Sequence, residues 1–375
     1  MTWSRHGATI AWHPRRPKGP GALSRRRESG RGRWRSIIDV DEPFTQRTGS
    51  GEPLWEPGIQ DVFLARKRIA PYLAPTPLLR PPALDRRTGA EVYLKCENLQ
   101  PTGAFKVRGG VNLVAAEREE GKIGPAGLAA ASTGNHGQSI AYAGRLFGLP
   151  VTVFGPEGLN PLKREAIRAW GAEVREVGRD FDEAREACEA YARETGARYV
   201  HSMNEPLLVA GVATAYLEAL LEVPDADFLF VPIGGGSGAS GAAIVARALN
   251  PRMRVIGVQA EGAPAVYRSF RSGRLESTPE AATRAEGLAT RVAFELPLRL
   301  LRRHLDDIVL VSDAAMLEAI RLLAETAHLV AEEAGAAALA AALALREEIR
   351  GRKVILPVTG GNATAGQLAE ALAQE

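Results

Sequence analysis

The sequence predicts an α/β fold built on parallel β-sheets. Short apolar strands alternate with helices along most of the chain, and small, glycine-rich turns join several of these strands to the helix that follows. Strands interleaved with helices in this way usually form parallel sheets that are covered on both faces. The chain of 375 residues is long enough for two domains with well-buried cores.

The predicted elements follow one another in a regular order. A first helix spans 59–73 and ends near two prolines, and a short strand at 92–96 leads through a turn into a helix at 107–118. Further strands are predicted at 128–131, 151–154, 173–177, 199–201, 228–233, 254–259, 308–311 and 354–358. Further helices are predicted at 138–147, 162–170, 181–195, 239–249, 263–271, 314–327 and 363–373.

Composition excludes several classes of protein. Apolar residues make up 45% and charged residues 24%, as in ordinary globular proteins. The longest run of low polarity, at 334–345, is too short to span a bilayer. Cys96 and Cys188 have no metal-like or redox-like spacing, and the six histidines are scattered. We therefore expect a cytoplasmic protein without disulfides, a histidine-rich metal site or a membrane segment.

Positive charge is concentrated at the amino terminus. Residues 1–36 contain ten Lys or Arg and one acid, whereas the rest of the chain carries a net charge of −6. Without apolar periodicity, residues 1–57 are expected to form a disordered basic tail. It is interpreted as a solvated extension or a mistaken translation start. A nucleic-acid-binding arm is the weaker alternative, because only Trp3, Trp12 and Trp34 accompany the charge.

Lys106 is the first candidate for chemistry and lies in the run ENLQPTGAFKVRGG. Its neighbours Phe105 and Val107 are apolar, and burial of a lysine lowers its pKa. A neutral amine attacks carbonyl groups, so Lys106 is a candidate for a Schiff base. The alternative is a surface lysine beside a turn, which describes most lysines.

A glycine loop follows the strand predicted at 228–233, with Gly234, Gly235, Gly236, Ser237 and Gly238 at the start of a helix. Backbone N–H groups that converge there, together with the helix dipole, suit a phosphate group. A tight turn is one alternative. Dinucleotide binding is another, but Gln259 ends the next strand where that motif needs an acid, and Glu261 lies just beyond.

Two more polar segments lie at strand ends. In the run ASTGNHGQ, Ser132, Thr133 and the N–H groups of the helix start suit a carboxylate, and the amide of Asn135 suits a ring hydroxyl. In the run LPVTGGN, Thr359 offers a hydroxyl where strand ends open into a crevice. Plain helix capping is the alternative for both segments.

As a set, these segments resemble the fold type II pyridoxal phosphate enzymes, in particular the threonine/serine dehydratase branch that includes serine racemase. The resemblance runs from about residue 59 to the end of the chain. It implies two three-layer domains with parallel sheets, like the tryptophan synthase β chain, and an active site in the cleft between them. The large, cofactor-binding domain would comprise 58–126 and 205–375, and a small mobile domain 127–204.

The resemblance also implies roles for individual residues. Lys106 would carry pyridoxal 5'-phosphate, with Phe105 beside it, and would remove the substrate's α-proton. The remaining cofactor-binding residues would be Gly234, Gly235, Gly236, Ser237 and Gly238 at the phosphate, Asn135 at the ring hydroxyl, Thr359 at the pyridine nitrogen and Glu332 near the ring. The substrate carboxylate would bind Ser132, Thr133, Gly134 and His136. For Glu332, a solvated acid on a helix is an equal alternative.

The sequence departs from the family pattern at three positions. Thr133 stands where members with racemase activity have a catalytic serine, and its extra methyl group argues against racemisation. Thr359 stands where serine is more usual and keeps the hydroxyl. For a divalent or monovalent cation, Glu261 and the carbonyl of Ala265 match two family ligands, but Tyr267 replaces an aspartate, which argues against a strong site.

The expected activity is that of an ammonia-lyase on a small amino acid. L-Threonine would give 2-oxobutanoate and ammonia, and L-serine would give pyruvate and ammonia. A lyase or racemase acting on another β-hydroxy amino acid is the main alternative. We expect a homodimer or homotetramer without membrane or nucleic-acid partners, and no isoleucine-controlled regulatory domain after Thr359.

Overall fold

A computed structural model describes residues 43–373, which form two β-sheets flanked by helices. The strands are β1 Leu78–Leu79, β2 Glu91–Lys95, β3 Leu128–Ala131, β4 Val151–Gly155, β5 Glu173–Glu176, β6 Arg198–Tyr199, β7 Phe228–Pro232, β8 Arg254–Ala260, β9 Asp307–Val311 and β10 Lys353–Pro357. The helices are α1 Ile59–Ile69, α2 Pro82–Thr88, α3 Lys106–Glu119, α4 Asn135–Phe147, α5 Pro161–Ala169, α6 Phe181–Thr195, α7 Pro206–Glu222, α8 Ser237–Leu249, α9 Ala265–Ser272, α10 Glu295–His304, α11 Asp313–Ala327, α12 Glu333–Ala344, α13 Arg346–Ile349 and α14 Ala365–Leu372. Short 3-10 helices span Glu97–Leu99 and Glu286–Leu288.

The two sheets are almost entirely parallel, which confirms the predicted fold class. The larger has the order β1-β2-β10-β7-β8-β9, and only β1 runs antiparallel to its neighbour. The smaller has the order β5-β4-β3-β6, with every pairing parallel. The carboxyl ends of parallel strands lie at one edge of a sheet, so the polar loops after β3, β7 and β10 open at the ends where ligands bind in such folds.

Helix α7 packs closely against two other helices that cover the larger sheet. Helix α7 packs against both α3 and α8. A Cβ on Gly211 would lie 2.6 Å from the carbonyl oxygen of Arg108, and one on Gly241 would lie 2.9 Å from the Cα of Ala213. Glycine at these two positions therefore lets three helices approach closely enough to carry residues of one site.

Several helices were not predicted. Helices α7 and α12 are buried on nearly every side, so their sequences lack the contrast between an apolar and a polar face that marks a surface helix. Helices α2 and α10 were missed as well, and α10 has Glu295 and Arg299 among its buried residues. The first helix ends at Ile69 rather than near residue 73. Within residues 43–373, no helix is both long and apolar enough to cross a membrane.

The predicted tail needs correction at residues 43–57, which pack against the body of the protein. The backbone N–H groups of Thr45 and Gln46 donate to the fully buried carboxylate of Glu295. The N–H of Gly49 donates to buried Glu205, and Leu54 is itself buried. These two carboxylates hold the segment in place, and because they are distant in sequence, the composition of the segment itself does not predict the contacts. Residues 1–42, with the basic excess, lie outside the described residues.

Candidate active site

A cavity of about 610 Å³ opens at the carboxyl ends of strands from both sheets. This volume is in the range of small-molecule sites. Apart from Glu261, the structure brings every candidate site residue to its wall: Phe105, Lys106, Ser132, Thr133, Gly134, Asn135, His136, Gly234, Gly235, Gly236, Ser237, Gly238, Glu332 and Thr359. The loops that the sequence singled out separately therefore share one site.

Lys106 is the first residue of α3, and its amine faces the cavity. Its Nζ lies 2.9 Å from the hydroxyl oxygen of Ser237 and 5.4 Å from the centre of the Phe105 ring. Burial lowers the pKa of Lys106 to about 8. At neutral pH about a tenth of the amine is then unprotonated, far more than for an exposed lysine. Lys106 is half-buried on the wall of a cavity, which contradicts the alternative of an exposed surface lysine.

A buried charge network anchors the turn that carries Lys106. The guanidinium of Arg108 binds both carboxylate oxygens of Glu97, at 2.7 and 2.8 Å, and both of Glu218, also at 2.7 and 2.8 Å. Lys95 contributes a second cation, 2.7 Å from Glu218. Two acids and two bases balance in the interior, as buried charges require. Arg108 and Glu97 belong to the motif around Lys106, but no local pattern there predicts their role.

The glycine loop has backbone positions that other residues cannot occupy. Gly236 has a φ of +102°, in the left-handed region. A Cβ on Gly235 would overlap the sulfur of Met203, and one on Gly234 would overlap the carbonyl oxygen of Gly287. The first N–H groups of α8 have no acceptor within the helix, so they and the Ser237 hydroxyl form a cradle for an anion.

The loop after β3 is shaped by Ser132. Its hydroxyl oxygen accepts the N–H groups of Gly134, at 3.0 Å, and Gly137, at 2.8 Å. Ser132 thus accepts an N–H group of the first turn of α4, although the N-cap residue is Gly134 and not Ser132 or Thr133, and only its O–H is left as a further donor. Thr133 is half-buried on the cavity wall.

His136 is not a cation that could bind a substrate carboxylate by its charge. Its Nε2 lies 3.2 Å from the carbonyl oxygen of Val200, and burial lowers its pKa to about 3. The ring is therefore neutral, and with a carbonyl as its partner Nε2 is the nitrogen that carries the proton. His136 consequently offers no positive charge to a substrate carboxylate.

Asn135, the first residue of α4, is held by two partners. Its Nδ2 donates to Glu332 at 2.6 Å, and its Oδ1 accepts from Asn362 at 2.7 Å. Glu332 is 7% exposed, so the alternative of a solvated acid is wrong, and burial raises the pKa of its carboxyl. Thr359 donates to the carbonyl oxygen of Ala334 at 3.3 Å, which leaves its lone pairs free toward the cavity.

Two ion pairs connect α5 and α6 with the segment between α9 and α10 on the cavity wall. Lys163 in α5 pairs with Glu286, and Arg291 pairs with Asp182 near the start of α6. A second acid, Asp180, lies 3.5 Å from Arg291. Lys163, Glu286 and Arg291 were not predicted as site residues, because the sequence around a charged residue in a polar segment does not show which residue it pairs with.

Glu261, the candidate cation ligand, lies outside this cavity. It follows β8 directly and is exposed. In the stretch from residue 43 to residue 373, no cluster of three or more His, Cys, Asp or Glu could hold a metal ion. The cation site at Glu261 stays a sequence prediction, without a ligand cluster to support it.

Known proteins resemble this chain over most of its length. A protein-family model described as "Pyridoxal-phosphate dependent enzyme" matches residues 69–360. The chain is 38% identical to the L-threonine ammonia-lyase of Thermotoga maritima over 81% of its own length and 75% of the relative. It is 36% identical to the L-threo-3-hydroxyaspartate ammonia-lyase of Saccharomyces cerevisiae, over 82% and 93%. Maize serine racemase superimposes with a TM-score of 0.79 at 30% identity, over 85% of this chain and 97% of that one.

Proposed function

The chain belongs to the pyridoxal-phosphate-dependent enzyme family, and from that membership we propose that it is an ammonia-lyase for L-threonine and, secondarily, L-serine. The observation that carries the proposal is Lys106, a lysine of lowered pKa on the wall of a cavity that also contains an anion cradle. In net terms the amino acid loses water across Cα and Cβ, and hydrolysis of the resulting enamine gives a 2-oxo acid and ammonia.

The residues present fit pyridoxal phosphate. Cβ atoms on Gly234 and Gly235 would overlap neighbouring atoms, so these glycines keep open the cradle that would receive the phosphate, beside Ser237. Lys106 would bind the aldehyde carbon, Asn135 would face the ring hydroxyl, and Thr359 the ring nitrogen. Bound pyridoxal phosphate supplies the electron sink that makes the α-proton of an amino acid removable.

Lys106 would serve as the base in this reaction. Its nitrogen must be unprotonated to accept the α-proton, and the pKa of about 8 that burial gives it makes this form the main one above pH 8 and about a tenth of the amine at neutral pH. The Ser237 hydroxyl, 2.9 Å away, would hold the amine in line when it is not covalently engaged. Asn135 would be a rigid donor at the ring, since Glu332 and Asn362 fix both ends of its amide.

Substrate carboxylate binding would rely on neutral donors. The N–H groups of Gly134 and Gly137 already donate to Ser132, so the remaining N–H groups at the start of α4 would serve here, where the helix dipole favours a negative charge. Thr133 and Gly134 would complete this subsite, with His136 contributing as neutral support.

A second candidate substrate is 3-hydroxyaspartate, because Lys163 and Arg291 line the cavity and a second carboxylate would attract them. Both cations, however, already pair with acids of the same wall, Glu286 and Asp182. Displacing an existing carboxylate offsets the gain from a new one. Threonine and serine need no such exchange, which supports a substrate with a neutral side chain.

The test is a comparison of substrates on the purified enzyme. L-Threonine, L-serine and L-threo-3-hydroxyaspartate would be assayed for 2-oxo acid and ammonia, with chiral chromatography to detect D-serine. Highest kcat/KM with threonine and no D-serine would support the proposal, whereas preference for 3-hydroxyaspartate or steady racemisation would reject it. Lys106→Ala should lose the cofactor absorbance and turnover, and Lys122→Ala, at an exposed lysine, should keep both.

The domain division and the assembly remain proposals. All four strands of the smaller sheet fall within the proposed small domain, 127–204, and the larger sheet falls within 58–126 and 205–375. Hydrogen exchange with and without substrate would test whether 127–204 moves as a unit. Light scattering would test the expected homodimer or homotetramer.

A further inference from the structure

The phenol of Tyr216 lines the cavity wall, but Tyr216 has no role among the site residues described so far. It lies in α7 and is only 1% exposed, yet it lines the same cavity as Lys106 and the glycine loop. Its neighbours there are Gly238 and Phe105. A Cβ placed on Gly238 would lie 3.4 Å from the Tyr216 hydroxyl and 3.1 Å from the Phe105 ring. The hydroxyl therefore sits beside the first turn of α8.

This hydroxyl has unused hydrogen-bonding capacity. In the part of the chain that the structure describes, the Tyr216 hydroxyl forms no hydrogen bond with another protein group. Because Tyr216 lines the cavity, this hydroxyl is left to a ligand or to water, as polar groups without a protein partner usually are. Burial raises the pKa of Tyr216 far above its ordinary value, so the phenol stays protonated and acts as a donor.

The position of the hydroxyl indicates which group of a ligand it would contact. The first turn of α8 presents N–H groups and the Ser237 hydroxyl, all of which are donors to an anion. Gly238 has no side chain to separate this turn from Tyr216. A donor from α7 would thus complete a cradle otherwise built from α8 and its preceding loop alone.

We propose that the Tyr216 hydroxyl is an additional phosphate-binding donor, which holds the cofactor phosphate from the side of α7. The inference rests on the proposed phosphate site in the glycine loop. It makes Tyr216 a binding residue rather than a packing residue. A phenylalanine would fill the same space but could not donate.

The test compares wild type with Tyr216→Phe after removal of the cofactor. Calorimetric titration with pyridoxal phosphate should give a dissociation constant about tenfold weaker for the variant, as expected for loss of one hydrogen bond to a charged acceptor. Titration with pyridoxal, which has no phosphate, should give equal affinities. Tyr199→Phe, at a buried tyrosine outside the cavity, is the matched control and should match wild type in both titrations.

Each outcome separates this inference from the site on which it rests. If wild type binds pyridoxal phosphate no better than pyridoxal, the phosphate site fails and Tyr216 with it. If wild type prefers the phosphate and Tyr216→Phe preserves that preference, only the role of Tyr216 is rejected. Should the variant not fold, a crystal structure of the wild-type holoenzyme decides, because a hydroxyl beyond about 4 Å from every phosphate oxygen would refute the contact.

Discussion

The amine of Lys106 and the hydroxyl of Ser237 lie 2.9 Å apart, although 131 positions separate the two residues in the chain. Lys106 begins α3 and Ser237 begins α8, so the contact brings the starts of two helices to one point. A candidate Schiff-base lysine thus stands beside a candidate phosphate cradle.

The rate of cofactor capture should depend on the protonation of Lys106. Burial lowers the pKa of its amine to about 8, and only the neutral amine attacks an aldehyde. Below about pH 8 the neutral fraction, and with it the rate, should rise about tenfold per pH unit, and above that pH it should level off. Stopped-flow absorbance of cofactor-free protein mixed with pyridoxal phosphate would measure this. Free N-acetyl-lysine amide is the control, and a protein rate that keeps rising in parallel with it would contradict the lowered pKa.

Gly235→Ala should damage the phosphate cradle. The added methyl group would overlap the sulfur of Met203, so the loop or the methionine must move. We expect affinity for pyridoxal phosphate to fall at least about tenfold and the unfolding free energy to fall by about 1–3 kcal/mol. Gly124→Ala is the matched control, because its Cβ would meet open space. Equal cofactor affinity of the two variants would show that the cradle tolerates the methyl group.

The pair between Lys163 and Glu286 should stabilise the closed wall of the cavity. Its side chains are 10% and 40% exposed, so solvent weakens the attraction. A double-mutant cycle with Lys163→Met and Glu286→Gln should give a coupling free energy of about 1 kcal/mol when it is calculated from the four KM values. The coupling calculated from kcat should be smaller. Arg321 and Glu325, a pair within α11, provide the control cycle. Coupling in kcat alone would mean that the pair acts on the chemical step instead.

Arg108→Met should be among the most destabilising single changes in this protein. It removes the cation that both Glu97 and Glu218 bind, and only Lys95 would remain to balance them. Removing one partner from a buried ion pair lowers stability by about 3–5 kcal/mol. Urea unfolding would measure the loss. Arg87→Met, at an exposed position of α2, should change stability by less than about 0.5 kcal/mol, and similar midpoints for both variants would argue against the network.

The loops of the site could be predicted because their signals are local. The left-handed backbone at Gly236 favours glycine, and small polar residues at strand ends favour helix starts. The partners of those loops could not be predicted. Asn135 and Asn362 are 227 positions apart, and Lys163 and Glu286 are 123 apart. Only the folded chain brings such pairs together.

Burial of charge was the second obstacle. Arg108 and Glu97 stood within the motif around Lys106, but charged residues are rarely buried and sequence alone gives no reason to place them inside. Helix α7 escaped prediction for the opposite reason, since apolar residues on every side leave no periodic contrast. That helix carries Tyr216, so the phenol beside the glycine loop could not be expected either.

The amino-terminal segment has a consequence for the order in which this protein is made. Thr45 and Gly49 leave the ribosome early, yet Glu295 and Glu205, which accept their N–H groups, follow 250 and 156 residues later. Contacts of such long range form only after much of the chain has been synthesised. The first described residues should therefore be among the last to dock, and during synthesis they must wait for carboxylates that are made 156 and 250 residues later.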